Sequence, residues 1–390
     1  LAGTADDHAA ARIVTQKLRQ WLIGSALPLW ASVGFDRKHG RFRERLDWSG
    51  QPVAAVPHRA MVQARQIYVF ADAARLGWFP EGAGLAEIAM GSLLRDFHDR
   101  SREGTGFAFS VDAEGRIVSE TRDAYAHAFV LVALAALHRL TGDGKLVAIA
   151  DAIIAFIDSR LADPVHGGLF DAFPVTGRNK RQNPHMHMLE AYLALERSCP
   201  GRGYLDRAAK LVGLLESRLL GAHHDVLLEH FTQDWRRHPD AAKSLVFEPG
   251  HHFEWVWLLH EFEAVAGTNL ARIIARLDHS ARVSGVGTGG LVFDEVRVGG
   301  RVVKRSHRVW PHTEGAKAAV ARLSHGDPGA PAFATLMVTA LLDHFLDRPF
   351  VGGWIDHLGE DRAPIVDYVP ASSLYHIFCA TTELARAFPS

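Results

Sequence analysis

Short segments led by glycine and carrying alternating apolar residues recur along the whole chain. They are Gly40-Arg-Phe42-Arg, Gly106-Phe107-Ala-Phe109, Gly168-Leu169-Phe170-Asp171, Val226-Leu-Leu228-Glu229, Gly290-Leu291-Val-Phe-Asp294 and Gly353-Trp354-Ile-Asp356. Aligned on Phe42, Phe107, Leu169, Leu228, Leu291 and Trp354, they stand 59 to 65 residues apart. Alternation of this kind reads as small strands or hairpins, and the even spacing implies one unit repeated six times. Between successive segments lie two helical patterns, predicting about twelve helices near 8–25, 57–76, 84–100, 122–140, 145–161, 182–198, 203–219, 249–266, 268–283, 309–324, 330–347 and 371–387.

The odd members, such as Tyr204 to Leu219 and Leu270 to Val283, alternate apolar and charged positions as half-exposed helices do. Several even members differ: Ala126 to Leu137 is apolar nearly all round, and Phe253 to Leu259 is dominated by large apolar side chains. Such helices need enclosure on more than one side. Six outer–inner pairs fit a closed all-α ring, an (α/α)6 barrel spanning 1–390 as a single domain, with short hairpins in the connections. An open solenoid is the competing arrangement. Closure is favoured because no unit carries a polar capping face.

Bulk properties narrow the function. The 390 residues are 48% apolar and 22% charged, enough to bury a large core, and Lys plus Arg (43) balance Asp plus Glu (44), so no nucleic-acid partner is expected. Two cysteines are too few for a disulfide framework. Neither a leader-like start in Leu1 to His8 nor an uninterrupted membrane-spanning stretch stands out, so the expected location is the cytoplasm, away from membranes. Histidine is the outlier at 23 residues, which directs attention to proton chemistry or metal binding.

Polar residues cluster near the starts of the even helices: Arg65; Asp123, Tyr125 and His127; Asn183, His185 and His187; His251, His252 and Glu254; Trp310, His312 and Glu314; Tyr375 and His376. Asp123/His127, Asn183/His187, His251/Glu254 and Trp310/Glu314 have helix-face spacing, so in a ring these faces would line one pocket. His185, His252 and His312 fit equally a role in shaping the cavity. His138 reads as an ordinary core histidine, and Trp255 and Trp257 as core rather than sugar platform. The pairs His185/His187 and His251/His252 lack the i,i+4 spacing of helical zinc sites. Two carboxylates from Asp123, Glu254 and Glu314 would suit glycoside hydrolysis, a rival that spacing alone leaves open. A non-catalytic sugar-binding module is a further alternative.

The segments Val62-Gln-Ala-Arg65, Asn183-Pro-His-Met-His187-Met-Leu-Glu190-Ala, Pro249-Gly-His251-His-Phe-Glu254-Trp, Trp310-Pro-His-Thr-Glu314 and Leu374-Tyr-His376 resemble, in order, the N-acylglucosamine 2-epimerase superfamily. That superfamily also holds cellobiose 2-epimerases, mannose isomerases and sulfoquinovose isomerases. The resemblance implies an (α/α)6 fold, His251 and His376 as an acid/base pair, and Arg65, Asn183, His187 and Glu254 as groups that bind or polarise sugar. It implies no metal or other cofactor for the reaction, and a monomer or homodimer. Tyr125, Trp310, His312 and Glu314 are expected as further substrate contacts. The stretch Asp367 to His376 is similar to the mannose isomerases, which points to interconversion of an unphosphorylated aldose and ketose, mannose and fructose, with 2-epimerisation of an N-acylglucosamine or free hexose as the alternative. Two opposing local influences are expected: the positive helix end favours a neutral His251, whereas Glu254, one turn on, orients that imidazole or raises its basicity.

Overall fold

The computed structural model describes residues 4–98, 106–177, 179–220 and 226–389. Its helices are α1 (Ala5–Trp21), α2 (Leu27–Ser32), α3 (Ala60–Arg75), α4 (Gly82–Asp96), α5 (Ala124–Thr141), α6 (Gly144–Phe156), α7 (Asn183–Ser198), α8 (Tyr204–Leu214), α9 (Pro249–Ala266), α10 (Ala271–Gly285), α11 (Trp310–Ser324), α12 (Ala330–Ala340) and α13 (Ser372–Ala387). Helices α3, α5, α7, α9, α11 and α13 each pack on the next, and α13 packs back on α3, so the inner ring is closed. The outer layer closes as well, with α1 against α12. Strand Tyr368–Pro370 pairs antiparallel with Arg45–Asp47, joining the last repeat to the first. A solenoid has no such contacts, and the fold is the (α/α)6 barrel.

Inner helices are buried on nearly every side because other inner helices flank them and outer helices back them. Every residue of α5 from Ala126 to Leu137 is buried. This helix is also the one, among the described residues, long and apolar enough to cross a membrane, and the sequence reading overlooked it. Its place between α3 and α7 accounts for the apolar surface.

The first helix differs from its expected end at residue 25. After α1 a five-residue π turn, Leu22–Ala26, carries the chain without a break into α2, where Pro28 follows the widened turn and supplies no N–H to the preceding one. Similar π turns end the outer helices at Ile157–Leu161, Leu215–Leu219 and Leu341–Phe345.

The repeated glycine-led segments are strands only in the first case, Arg41–Phe42. Phe107, Leu169, Val292 and Trp354 form single bridges, and the paired strands begin further along. The reason is a set of side-chain staples. The backbone N–H of Phe107, Leu169, Leu227 and Val292 donates to Nε2 of His127, His185, His252 and His312, at 2.8–3.0 Å. In the first repeat Gln63 does the same work with both its amide atoms on Phe42. The backbone group that a neighbouring strand would use is thus taken by an inner helix. Gly106 and Gly168 precede two of these residues with φ of +65° and +71°, and a Cβ there would lie 2.6 and 2.7 Å from the His127 and His185 Nε2 atoms. Only glycine supplies both the left-handed backbone and the space.

Candidate active site

Four of the inner-helix histidines are therefore structural. His127, His185 and His312 also place Nδ1 on the carbonyl four residues back, those of Asp123, Arg181 and Arg308, while His252 Nδ1 meets Ser280 Oγ on outer helix α10. All four are buried with pKa values pushed down to about 4, or about 3 for His312, chiefly by burial, so they are neutral bridging groups. His312, expected to touch substrate, has no ring nitrogen left for it. Asp123 is the N-cap of α5, accepting from Ala126 N–H, so the expected Asp123/His127 pair serves the scaffold too.

A different set converges inside the ring at the same end. Trp310 lies between the two expected acid/base residues, its ring centre 5.0 Å from that of His251 and 5.7 Å from that of His376. His251 Nδ1 is 2.9 Å from Glu229 Oε2, and its Nε2 is 2.9 Å from the Asn183 side-chain amide. His376 Nδ1 is 2.8 Å from Glu314 Oε1, and Glu314 is paired with Lys317 at 2.7 Å. His187 Nδ1 is 2.9 Å from Glu190 Oε2, while Tyr375 donates its hydroxyl to the other Glu190 oxygen. Arg65 donates to Tyr125 Oη at 2.6 Å and to the Ser372 carbonyl at 3.3 Å, its guanidinium lying 4.1 Å from the Phe129 ring centre. Its Nε has no protein partner, which leaves a cationic donor unspent. Beside Ser372 a cavity of about 470 Å³, lined also by Glu44, Arg59, Asp356 and Tyr368, opens at this end.

The two expected acid/base residues hold opposite charge states. Burial is the largest influence on His251 and would lower its pKa, but Glu229 and Glu248 together outweigh it and raise the value to about 9. Burial also dominates at His376, and Arg65 and Lys317 reinforce it, so this pKa falls well below 6.5. At neutral pH His251 is an imidazolium and His376 a neutral base with its Nδ1 proton directed at Glu314. The Asn183 amide suits both states of His251. Its nitrogen donates to a neutral Nε2, and its Oδ1, which has no other partner, accepts from a protonated one after a half-turn.

Beneath these groups, Glu254 is buried with one oxygen unpartnered, 3.8 Å from His187 Nδ1. Burial, then the charge of Glu314, raise its pKa well above the ordinary range. Glu229, not Glu254, orients His251, while Glu254 acts in its other expected sense and helps raise the imidazole pKa. Of the opposing influences on His251, the carboxylates prevail over burial. Glu314 contacts His376 and Lys317, a positioning role behind the base. Glu254 and Glu314 lie within 4.8 Å of each other at an oxygen, and both are buried.

Residues 40–380 match the family described as N-acylglucosamine 2-epimerase (GlcNAc 2-epimerase). The chain belongs to this family. Within this epimerase family it is similar to the mannose-6-phosphate isomerase of Rhizobium meliloti (strain 1021), at 32% identity over 94% of this chain and 96% of that one. The D-mannose isomerase of Pseudomonas cannabina pv. alisalensis is 28% identical over 86% and 85% of the two chains. Among solved structures, the cellobiose 2-epimerase of Spirochaeta thermophila DSM 6192 superposes with a TM-score of 0.86 at 25% identity, covering 97% of each chain. The chain is thus an enzyme of the sugar isomerase and epimerase class.

Of the site residues expected from sequence in this epimerase-family ring, Arg65, Tyr125, Asn183, His187, His251, Glu254, Trp310, Glu314 and His376 gather at the inner-helix N-terminal end, and His312 does not face it. His138 is a hydrogen-bonded core residue, with Nδ1 2.7 Å from Ser198 Oγ. Trp255 is fully buried on Gln182, and Trp257 lies under the Lys317 ammonium, so both are core. Sequence reasoning missed Glu229, Glu190 and Lys317. Glu190 has the i,i+3 spacing to His187 that could have found it. Glu229 carries a repeat signal: counted from the stapled residues, an acid stands two positions on in five of six repeats, at Glu44, Asp171, Glu229, Asp294 and Asp356.

Proposed function

We propose that the chain interconverts an unphosphorylated aldose and its 2-ketose, mannose and fructose, by proton transfer through an enediol. The single observation that carries this reading is the split charge state of His251 and His376 across one indole, since two titratable groups driven apart by their surroundings mark an acid and a base. With the sugar open and its C2 hydrogen toward His376 Nε2, the neutral imidazole takes that proton. Arg65 supports the oxygen charge that develops, and the His251 imidazolium protonates O1. Return of the proton from His376 to C1, with the O2 proton passing to the now neutral His251, gives the ketose and restores both histidines. One base on carbon suffices, so the second histidine is free to act on oxygen.

The absence of a phosphate on the substrate is supported by the cations near the opening. Of the cations lining the cavity, Arg59 is paired with Glu44, a pair that a phosphate dianion would have to break, and Arg45 lies over the Tyr368 ring. The cysteines are both unpaired, which keeps the cytoplasm the expected location. The similarity to a cellobiose 2-epimerase sustains the second reading, in which His251 and His376 address opposite faces of C2.

One experiment separates these readings. After chelator treatment, the protein is incubated in deuterated water with mannose and, separately, mannose 6-phosphate, and the products are read by proton NMR. Fructose labelled at C1 is expected from mannose. Glucose labelled at C2 would replace the isomerase by an epimerase, and turnover of the phosphate ester alone would overturn the substrate assignment. His251→Ala and His376→Ala should each slow exchange by about 10²–10⁴-fold with unchanged far-UV circular dichroism. Near-normal turnover in either would end the pairing.

A further inference from the structure

A second convergence of ligating atoms lies at the other end of the ring, where the inner helices finish. A cavity of about 900 Å³ opens there, lined by residues from the C-terminal turns of the inner helices, including His260 and Ser324. At its rim His260 and Glu263 stand one turn apart at the end of α9, and His325 follows the last residue of α11. His325 Nε2 is 2.7 Å from Glu263 Oε2, and His260 Nδ1 is 3.8 Å from the same oxygen. The three ligand atoms lie within 4.8 Å of one another.

The hydrogen bonds around this group fix which atoms carry lone pairs. Ser324 Oγ gives its own proton to the Ala321 carbonyl at 2.7 Å, so its 3.1 Å contact with His260 Nε2 needs the proton on the imidazole. His260 Nδ1 is then an unprotonated nitrogen, and it is buried with no hydrogen-bond partner. It faces a carboxylate oxygen that accepts the His325 Nε2 proton, and a metal ion would take the place of that proton among the three atoms. The other oxygen of Glu263 accepts from the Leu270 backbone N–H, which holds the carboxylate in place. Of the nearby charges, Glu261 is paired with Arg197 and also approached by Arg386.

We propose that His260, Glu263 and His325 form a divalent transition-metal site, of the zinc class, that clamps the ends of α9 and α11 and leaves one coordination position open to the adjoining cavity. Two imidazoles and a carboxylate are a ligand set that zinc accepts at about 2.0–2.2 Å. Bonds of that length require ligand atoms about 3.3 Å apart, so the 2.7 Å contact opens slightly and the 3.8 Å one shortens. The site lies at the far end from the acid/base pair and plays no part in the proposed reaction.

The test is titration of the chelator-stripped full chain with zinc by calorimetry and with cobalt(II) by visible absorption, alongside His325→Gln and the double variant His260→Ala/His325→Ala. The wild type should bind one more equivalent than the double variant, show cobalt bands that the double variant lacks, and gain thermal stability with zinc. His325→Gln should bind about tenfold or more weakly, with sugar exchange unchanged in every variant. Identical stoichiometry and affinity in wild type and double variant would overturn the site, as would loss of the cobalt bands in His251→Ala instead.

Discussion

Successive residues on a helix point about 100° apart, which lets His251 face the centre of the ring while His252 reaches back to Leu227 and to Ser280 on the outer layer. One ring is held neutral by burial and the other charged by Glu229 and Glu248. Replacing Glu229 by Gln keeps the shape of its contacts and removes the charge. The Glu229→Gln enzyme should therefore show the alkaline limb of kcat/KM, set near pH 9 by loss of the His251 proton, moved down by about one unit or more. A pH–rate profile checks this, and an unmoved limb would take His251 out of the acid role. The wild type should show no loss of activity through the ordinary histidine range, because His376 is already neutral there. Stability carries the same sign. A raised folded pKa adds stability that is complete below the unfolded value of about 6.5 and disappears as pH climbs through about 9. Helix-face spacing made the imidazoles legible in the sequence. Their charge was not, because it depends on burial, on Glu229 brought in from a loop and on cations from other helices; Glu248, three residues before His251, is the one contributor with a local spacing.

At the scale of elements, the staples explain both what the sequence disclosed and what it hid. Apolar periodicity located the inner and outer helices, since each must bury a face whatever its neighbours do. The glycine-led segments looked like strands because their side chains alternate, yet their N–H groups are bonded to histidines about 16–25 residues later in the chain. His312→Ala should lower unfolding stability by about 2–4 kcal/mol, through an unsatisfied Val292 N–H and the cavity left behind. Turnover per folded molecule should stay within about twofold. Gly168→Ala should destabilise by at least the about 1–3 kcal/mol of a strained positive φ, and more if His185 is displaced. Denaturant melts with parallel assays measure both, and a large kcat loss in His312→Ala would return that residue to the substrate.

For the whole molecule, closure is the governing fact. The Tyr368–Pro370 pairing with Arg45–Asp47 and the contacts of α1 with α12 and α13 leave no terminal repeat uncovered. The His8 and Phe388 rings sit 6.0 Å apart, so a short linker can join the two ends of the chain. A circular permutant opened at the exposed turn Gly201–Gly203 is expected to fold, melt in one transition and retain sugar exchange. Stepwise melting would indicate repeats that behave as independent units. Sixfold recurrence was readable in advance because spacing survives where individual residues drift; closure was supported only indirectly, since contacts between first and last repeats leave no local signature.

The acid that recurs at the Glu229 position in five of the six repeats gives the ring a latent generosity. Asp294, on the rung after Glu229, receives Ser306, Arg308 and His357, while Glu229 on its own rung receives His251. A newly acquired imidazole on such a framework meets an anion already waiting. One mutation can therefore create a charged proton donor where two would otherwise have to coincide, and an ancestral rung built for sturdiness becomes a ready socket for chemistry.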